Sequence, residues 1–313
     1  MPMEGSNLRS EHQGICYSGY RDGQSPDAGI YPSPAQIEQD LAILARQWKW
    51  VRLYDSGPHA ELVLSAVQRM GLDLEVLLGA WLTAETSNPG CPWGAWFSNE
   101  QLAANAVTNS AEIDRAIALA QRYPQIVTSV SAGNEATVDW TGHLVPVNRV
   151  IAYVKRMKAA ISQPVTFCEN HVPWMDKLAP LVAELDFISV HSYPVWEYRS
   201  IDDAMRVTDA DWRRITEKYP DTPVVITEAG WATRSNGRGI DPSNANVHHQ
   251  VRYYRELTRW GAERGVRVYV FEAFDEPWKG SADPDEPEKH WGLFTVDRRP
   301  KPVMHELFAD LRA

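Results

Sequence analysis

Short apolar runs alternate along the chain with longer segments of mixed polarity. Eight of the short runs are rich in β-branched residues, and their centres are continuously apolar instead of alternating between apolar and polar positions. That pattern is typical of parallel strands that are covered on both faces. The predicted strands begin near Gly14, Trp50, Leu74, Val127, Val165, Phe187, Val224 and Val268.

The segments between these runs carry apolar residues at helical spacing. The first places Ile37, Leu41 and Leu44 on one stripe, and Ser33 followed by Pro34 is a typical helix start. Residues 174–184 are less regular but compatible with a helix. The predicted helices cover residues 34–46, 60–70, 99–122, 147–161, 210–218, 247–264 and 304–312.

Strands that alternate with helices in this way predict the α/β class and a single (β/α)8 TIM barrel with enlarged βα loops. The barrel is expected to occupy residues 14–313, after an N-terminal tail over residues 1–13. No Gly- or Ser-rich linker divides the chain, and its 313 residues suit one enlarged barrel. We expect a monomer.

The composition of the chain argues against several classes of function. The chain has 31 Lys and Arg against 41 Asp and Glu, and this net charge of −10 disfavours nucleic acid as a partner. No apolar run approaches the roughly 20 residues that a membrane span needs. Three cysteines without metal-binding spacing, and no dinucleotide fingerprint, predict neither a metal nor another cofactor. The first ten residues lack the apolar stretch of a signal peptide, so the compartment stays open between the cytoplasm and, if a leader has been removed, a secreted or periplasmic location.

Polar and aromatic residues cluster where the apolar runs stop, which is the face that carries the active site in (β/α)8 barrels. Two carboxylates stand out there. Glu135 follows the fourth predicted strand, and Glu228 lies at the end of the seventh. Glycoside hydrolysis requires such a pair, because one carboxyl group protonates the leaving oxygen while the other attacks the anomeric carbon or activates water. The alternative is that either glutamate is a salt-bridged residue of the barrel rim.

Six motifs that follow the strand order resemble glycoside hydrolase family 17, the β-1,3-glucanases, within the clan of retaining (β/α)8 glycosidases. They are VRLYD, SAGNE, HSYP, VVITEAGW, FEAFDEPWK and EKHWGLF, and the resemblance extends from about Gly14 to Phe308. It implies cleavage of β-1,3-glucan by double displacement, with Glu135 as the general acid/base and Glu228 as the nucleophile. A retaining mechanism places the two carboxyl groups about 5–5.5 Å apart.

The resemblance also implies supporting residues beside the two glutamates. Asn134 is expected to hydrogen-bond the 2-hydroxyl group of the sugar at the cleavage point. Tyr193 can donate its phenolic hydrogen to Glu228, with ordinary packing as the alternative. Tyr54 and Asp55 are expected to contact the sugar or brace the carboxylates, and Arg52 is their expected charge partner.

The eighth strand contributes a further charged group. Glu276 and Lys279 match a pair found beside the acid in this family, with a surface salt bridge as the alternative. His191 is interpreted as a hydrogen-bonding residue at a strand end, and Glu272 is left without a role.

Tryptophan is in excess, with 13 Trp against 12 Tyr and 7 Phe. An indole face can pack on the C–H patch of a pyranose, so Trp residues that follow strand ends are candidate sugar platforms. Trp231, Trp278 and Trp291 are expected near the cleavage point, and Trp93 and Trp96 at a more remote subsite. The remaining expectations are a strand-end position for Trp81, Trp140, Trp174 and Trp196, and a core or helix-face position for Trp48, Trp50, Trp212 and Trp260.

Two long loops leave the mode of action open. Residues 83–99 contain a W-x-x-W pair, and residues 281–289 are acidic and rich in proline; either could close one end of the groove and favour exo-action. A β-glucanosyltransferase would use the same catalytic residues. A non-catalytic glycan-binding barrel would not need opposed carboxylates, and a phosphate-binding barrel would need a glycine-rich seventh or eighth loop. The β-1,3 linkage rests on the resemblance, and β-1,4, β-1,6 and mixed-linkage glucans remain alternatives.

Overall fold

Eight parallel strands close into a barrel in chain order, with β8 paired to β1, in a computed structural model that describes residues 13–312. The predicted (β/α)8 fold is therefore confirmed. Residues 1–12 of the predicted tail lie outside the described residues, and Gln13 already belongs to the first strand. The strands are β1 (Gln13–Cys16), β2 (Trp50–Arg52), β3 (Glu75–Gly79), β4 (Val127–Asn134), β5 (Val165–Asn170), β6 (Ile188–His191), β7 (Val224–Ala229) and β8 (Val268–Val270).

Helices cover the outside of the barrel and bury their apolar faces against the strands. The first helix begins as predicted, because the Ser33 hydroxyl accepts a hydrogen bond from the Gln36 N–H and the Gln36 side chain accepts one from the Ser33 N–H. The helices are α1 (Pro34–Leu44), α2 (Pro58–Met70), α3 (Asn99–Arg122), α4 (Val147–Ala160), α5 (Ala179–Val182), α6 (Ile201–Lys218) and α7 (Val247–Arg264).

Three predicted helices differ from the structure. α6 begins at Ile201 instead of residue 210, because Thr208 and Asp211 occupy its buried face and interrupt the apolar period. The helix predicted over 304–312 is wrong. Two short 3-10 turns stand there, and the i, i+4 spacing of Met304 and Phe308 comes from two buried residues of an irregular segment. The segment 174–184 contains a 3-10 turn followed by the single-turn helix α5.

The strand register brings the chemistry-bearing residues to one end of the barrel. His191 of β6 pairs with Glu228 of β7, and the backbone N–H of Glu135, just after β4, donates to the Cys168 carbonyl of β5 at 2.9 Å. Close strand contact requires glycine at Gly79, because a Cβ there would lie 2.5 Å from the backbone of Tyr54. No helix in the described part of the chain is long and apolar enough to span a membrane.

Candidate active site

Glu135 and Glu228 meet at the C-terminal mouth of the barrel. One carboxylate oxygen of each and a ring nitrogen of His191 all lie within 4.8 Å of one another. Retaining glycosidases hold their two carboxyl groups about 5–5.5 Å apart, whereas inverting enzymes need about 6.5–9.5 Å to leave room for a water molecule. The nearest oxygens of the two glutamates therefore lie closer together than the separation that inverting enzymes need.

Glu228 is buried and surrounded by donors. Arg52 donates to Oε1, the Tyr193 hydroxyl donates to Oε2 at 2.5 Å, and His191 Nδ1 lies 3.5 Å from Oε2. Burial alone would raise the pKa of Glu228, but the charges of His191 and Arg52 and the hydrogen bond from Tyr193 lower it to about 2. Glu228 is therefore an ionised carboxylate held in one orientation near neutral pH.

Glu135 lies in a different environment. Its side chain is 31% exposed, and its Oε1 lies 2.8 Å from His191 Nδ1. Its backbone has φ of 43°, in the left-handed region that non-glycine residues rarely adopt. Such backbone conformations cluster at functional sites because the surrounding structure must impose them. The two glutamates thus differ in exposure and in the number of donors that hold them.

His191 connects the two carboxylates, which the sequence interpretation did not anticipate. The imidazole is fully buried on β6. Burial acts to lower its pKa, but the charge of Glu228, a hydrogen bond with Cys168 and the neighbouring Glu135 carboxylate raise it to about 10. His191 is therefore a buried cation, and Nδ1 donates to Glu135. The HSYP motif contained this residue, but no sequence signal indicates which groups its ring contacts.

Arg52 fixes both Glu228 and Asn134. Its guanidinium is 2% exposed and donates to the Glu228 carboxylate and to Asn134 Oδ1. The expected pairing of Arg52 with Asp55 is wrong. The Asp55 carboxylate instead accepts the Gly57 N–H at 2.7 Å, and Arg52 stacks over the Tyr54 ring at 4.5 Å. Arg52 and Asp55 have separate partners because Arg52 points into the barrel, whereas Asp55 belongs to the turn before α2.

The predicted Glu276–Lys279 pair is present and includes a third residue. Lys279 Nζ contacts Glu276 and lies 2.8 Å from Glu272 Oε2, and Trp278 Nε1 donates to Glu276 at 3.0 Å. Burial and the charge of Glu276 raise the pKa of Glu272 well above its usual range, which favours the protonated form of Glu272. No described hydrogen bond or ion pair joins Glu276 or Lys279 directly to Glu135, but both Lys279 and Glu135 influence the pKa of Glu288. The expectation that the pair lies beside the acid and tunes it stays a prediction.

Two further carboxyl groups lie close to the pair of glutamates, and sequence reasoning assigned no role to either. Burial and the charge of Glu135 raise the pKa of Glu169, on β5, to about 8. For Glu288, in the turn Pro287–Lys289, burial and the charges of Glu135, Glu286 and Glu228 outweigh Lys279 and raise the pKa to about 7. The influence of both central glutamates indicates that Glu288 belongs to the same cleft. In the sequence, Glu288 could have been found from its place as the first residue of the EKHWGLF motif.

The tryptophans divide into buried and exposed groups. Trp231 is 1% exposed and donates to the Asn244 carbonyl at 2.8 Å, so the expectation that it forms a sugar platform is wrong. Trp291 is fully buried and packs edge-on against Tyr193 with a centroid distance of 5.2 Å, which makes it a support for Tyr193. Trp174 is also buried, whereas Trp278 is partly exposed. The exposed indoles are Trp81, Trp93, Trp96 and Trp140.

Two groups of side chains in residues 13–312 have the ligand types and spacing that could hold a metal ion. The first is Glu135, His191 and Glu228, where the cationic His191 and Arg52 already compensate the carboxylates. In the second, His171 presents Nε2 to Glu197 at 3.4 Å and Nδ1 to Asp211 at 3.6 Å. Because the two ring nitrogens of His171 face different carboxylates, the imidazole is better placed to bridge Glu197 and Asp211 than to bind one metal ion together with them.

The family model and the relatives that match this chain all point to glycoside hydrolases. Residues 14–292 match the model of the BtgE/BtgC glycoside hydrolase domain. A glucan 1,3-beta-glucosidase of Arthroderma benhamiae is 26% identical over 298 residues, which cover 90% of this chain and 85% of that protein. The btgC protein of Aspergillus niger, named as a glucan endo-1,3-beta-glucosidase, is 26% identical over 334 residues and is matched over 96% of this chain. The chain spans only 44% of that longer relative.

Solved structures agree with the fold. An endo-laminarinase from Formosa Hel1_33_131 superposes with a TM-score of 0.82 at 26% identity, over 96% of this chain and 87% of that one. A β-1,3-glucanosyltransferase from Rhizomucor miehei gives a TM-score of 0.73 at 21% identity, over 93% and 96% of the two chains, and shares the fold. The chain belongs to the BtgE/BtgC glycoside hydrolase domain family.

Proposed function

We propose that this chain is a retaining glycoside hydrolase of family 17 that cleaves β-1,3-glucan by double displacement. The observation that carries the proposal is the unequal pair of glutamates. Glu228 is ionised and accepts hydrogen bonds from Arg52 and Tyr193, Glu135 is partly exposed, and their oxygens lie within 4.8 Å. Retaining glycosidases require one carboxylate as the nucleophile and a second carboxyl group as the acid/base, and these two environments suit those roles.

In the first step, Glu228 attacks the anomeric carbon while Glu135 protonates the glycosidic oxygen. The bond between the anomeric carbon and that oxygen breaks, and an ester bond to Glu228 forms. The low pKa of Glu228 keeps the attacking oxygen unprotonated across the neutral range. The donors from Arg52 and Tyr193 hold it in place, which lowers the entropic cost of reaching the attack geometry.

In the second step, a water molecule displaces Glu228 from the anomeric carbon. Glu135, now a carboxylate, takes a proton from water as the water oxygen attacks the anomeric carbon and the Glu228 ester breaks. Esterification has removed the charge of Glu228, so Glu135 no longer faces a second carboxylate. His191 remains as a cation beside both and compensates whichever carboxylate is ionised.

Asn134 is suited to hold the sugar during both steps. Its Oδ1 accepts from Arg52, which fixes the amide orientation and leaves Nδ2 as the donor toward the cleft. A hydrogen bond from Nδ2 to the 2-hydroxyl group would strengthen as positive charge develops on the ring. Trp278 and the charged group of Glu272, Glu276 and Lys279 lie across the barrel mouth and are proposed to bind hydroxyl groups of the same sugar.

The substrate class rests on the relatives. The Arthroderma protein is named for glucan 1,3-beta-glucosidase activity and the Formosa structure for endo-laminarinase activity. Both names point to β-1,3-glucan, and we propose the same linkage for this chain.

The proposal is tested with the variants Glu228→Gln and Glu135→Gln. Release of reducing ends from laminarin should fall by at least a thousandfold in both. The two should then separate on an aryl glucoside whose leaving group needs no protonation. With the smaller variants Glu228→Ala and Glu135→Ala, which leave room for azide beside the anomeric carbon, azide should restore turnover and give an α-glycosyl azide from the first and a β-glycosyl azide from the second. Near-normal hydrolysis by Glu228→Gln, or azide products of the reverse configuration, would contradict the assignment.

A further inference from the structure

The backbone of Glu135 is held in a conformation that a glutamate does not favour by itself. Its φ of 43° lies in the left-handed region, which glycine and, less often, asparagine adopt readily. A glutamate stays there only where contacts from other parts of the chain impose the conformation. Residues 134–137, which include Glu135, are called the acid turn below.

Two contacts to the acid turn come from the loop between β4 and α4. His143 Nε2 lies 2.9 Å from the Asn134 carbonyl oxygen, and the Val145 N–H donates to the Ala136 carbonyl oxygen at 2.7 Å. These contacts hold the residues on either side of Glu135. They join the acid turn to the loop that follows it, and the barrel wall must supply the remaining anchor.

That anchor is a pair of neighbouring residues on β5. The Cys168 carbonyl oxygen accepts the Glu135 N–H at 2.9 Å. The next residue, Glu169, accepts from Thr137 twice through Oε2, from the N–H at 2.9 Å and from the hydroxyl at 2.6 Å. Its Oε1 accepts the Asn170 N–H at 2.7 Å. The Glu169 carboxyl group therefore ties the end of the acid turn to the end of β5.

Other side chains reach the acid turn, but they lie closer to solvent than Glu169. Lys177 Nζ donates to the Thr137 carbonyl oxygen at 2.7 Å and is 36% exposed, and His143 is partly exposed. Glu169 is 0% exposed. A buried carboxyl group is costly unless donors satisfy it, and here both oxygens are used to hold backbone. The charge of Glu135 also contributes to the raised pKa of Glu169, so the two carboxyl groups are close enough to influence each other.

We propose that Glu169 is a positioning residue for the acid/base of the reaction. By holding Thr137 it fixes the acid turn on β5, and the fixed turn aims the Glu135 carboxyl group at the glycosidic oxygen. The inference rests on the proposed function and deepens it, because Glu169 acts on the substrate only through Glu135. Proton transfer needs the acid within hydrogen-bond reach of the leaving oxygen, and a misplacement of about 1 Å can lower a rate on the order of a hundredfold.

The test uses two substrates that differ in their need for an acid. Laminarihexaose has a sugar leaving group whose oxygen must be protonated, whereas dinitrophenyl β-laminaribioside releases a phenolate that needs no proton. Because kcat/KM covers the reaction only through formation of the ester to Glu228, it depends on the acid for the first substrate alone. Glu169→Ala should lower kcat/KM on laminarihexaose about a hundredfold and leave it within about twofold on the aryl substrate.

Thr137 offers a milder pair of variants. Thr137→Val removes the hydroxyl donor to Glu169 at nearly constant volume and should lower kcat/KM on laminarihexaose on the order of tenfold. Thr137→Ser keeps both donors and should retain the wild-type value. The matched control is Asp186→Ala, which removes a carboxylate that accepts the Val165 N–H at 2.7 Å at the opposite end of β5. This control should change kcat/KM on neither substrate.

Glu135→Gln is the reference for complete loss of the acid and should show the same selective loss to a greater degree. If it does, and Glu169→Ala lowers kcat/KM equally on both substrates or on neither, the positioning role of Glu169 is overturned. Failure of the proposed function looks different, because Glu135→Gln itself would then show no selective loss. If Glu169→Ala does not fold, Thr137→Val and Thr137→Ser give the same comparison, and equal values for these two on laminarihexaose overturn the inference.

Discussion

The hydrogen bond between Tyr193 and Glu228 offers a sharp test of how the site keeps its nucleophile ionised. The phenol donates to the buried carboxylate at 2.5 Å, and Tyr193 is itself held by the buried Trp291. A hydrogen bond to a charged group contributes about 1.5–3 kcal/mol, so Tyr193→Phe should lower kcat/KM roughly 10- to 150-fold. Loss of a donor to the charged form should also raise the pKa of Glu228 by about one to two units.

The assay is kcat/KM for laminari-oligosaccharides as a function of pH. The acid limb reports the nucleophile of the free enzyme. It should move upward from the region near pH 2 set by the pKa of Glu228 in the intact site. The matched control is Tyr153→Phe, which removes a tyrosine hydroxyl that donates to Glu85 on the outside of the barrel. An unchanged acid limb and rate in Tyr193→Phe, or an equal effect in Tyr153→Phe, would refute the reasoning.

Two other predictions concern a buried indole and a cleft carboxyl group. Trp231→Ala should lower the free energy of unfolding by about 3–5 kcal/mol in urea titrations, because this indole packs in the interior. The KM for laminari-oligosaccharides should stay nearly unchanged. A rise in KM at constant stability would contradict the burial of Trp231. The pKa of Glu288 is raised to about 7, above the ~4.3 of an unfolded chain, so ionising it costs stability as pH rises between these values. Thermal melting should therefore show Glu288→Gln gaining stability over the wild type across that window, and parallel melting curves would contradict the placement of Glu288.

The barrel could be predicted because each strand is a short apolar run and each helix keeps its spacing. Glu135 and Glu228 could be chosen for the same reason, since the residues at the C-terminal ends of the strands form the active-site face of a (β/α)8 barrel. α6 and the 302–311 segment departed from prediction where buried polar residues or irregular turns replaced the simple period.

Side-chain direction in the loops could not be predicted. Trp231 and Trp291 follow strands just as Trp81 does, yet the first two are buried and the third is exposed. The difference depends on what lies above each loop, which is set by contacts between residues far apart in sequence. The same limit applies to His191, whose position between two carboxylates depends on the pairing of β6 with β7.

The central claim is that Glu228 forms a covalent bond with the sugar, and the configuration of the first-formed product tests it most directly. Laminari-oligosaccharide cleavage is followed by proton NMR at early times, before the product mutarotates. Two successive displacements should release the β-anomer first, with the α-anomer appearing later by mutarotation. Initial release of the α-anomer would show a single displacement and contradict the account.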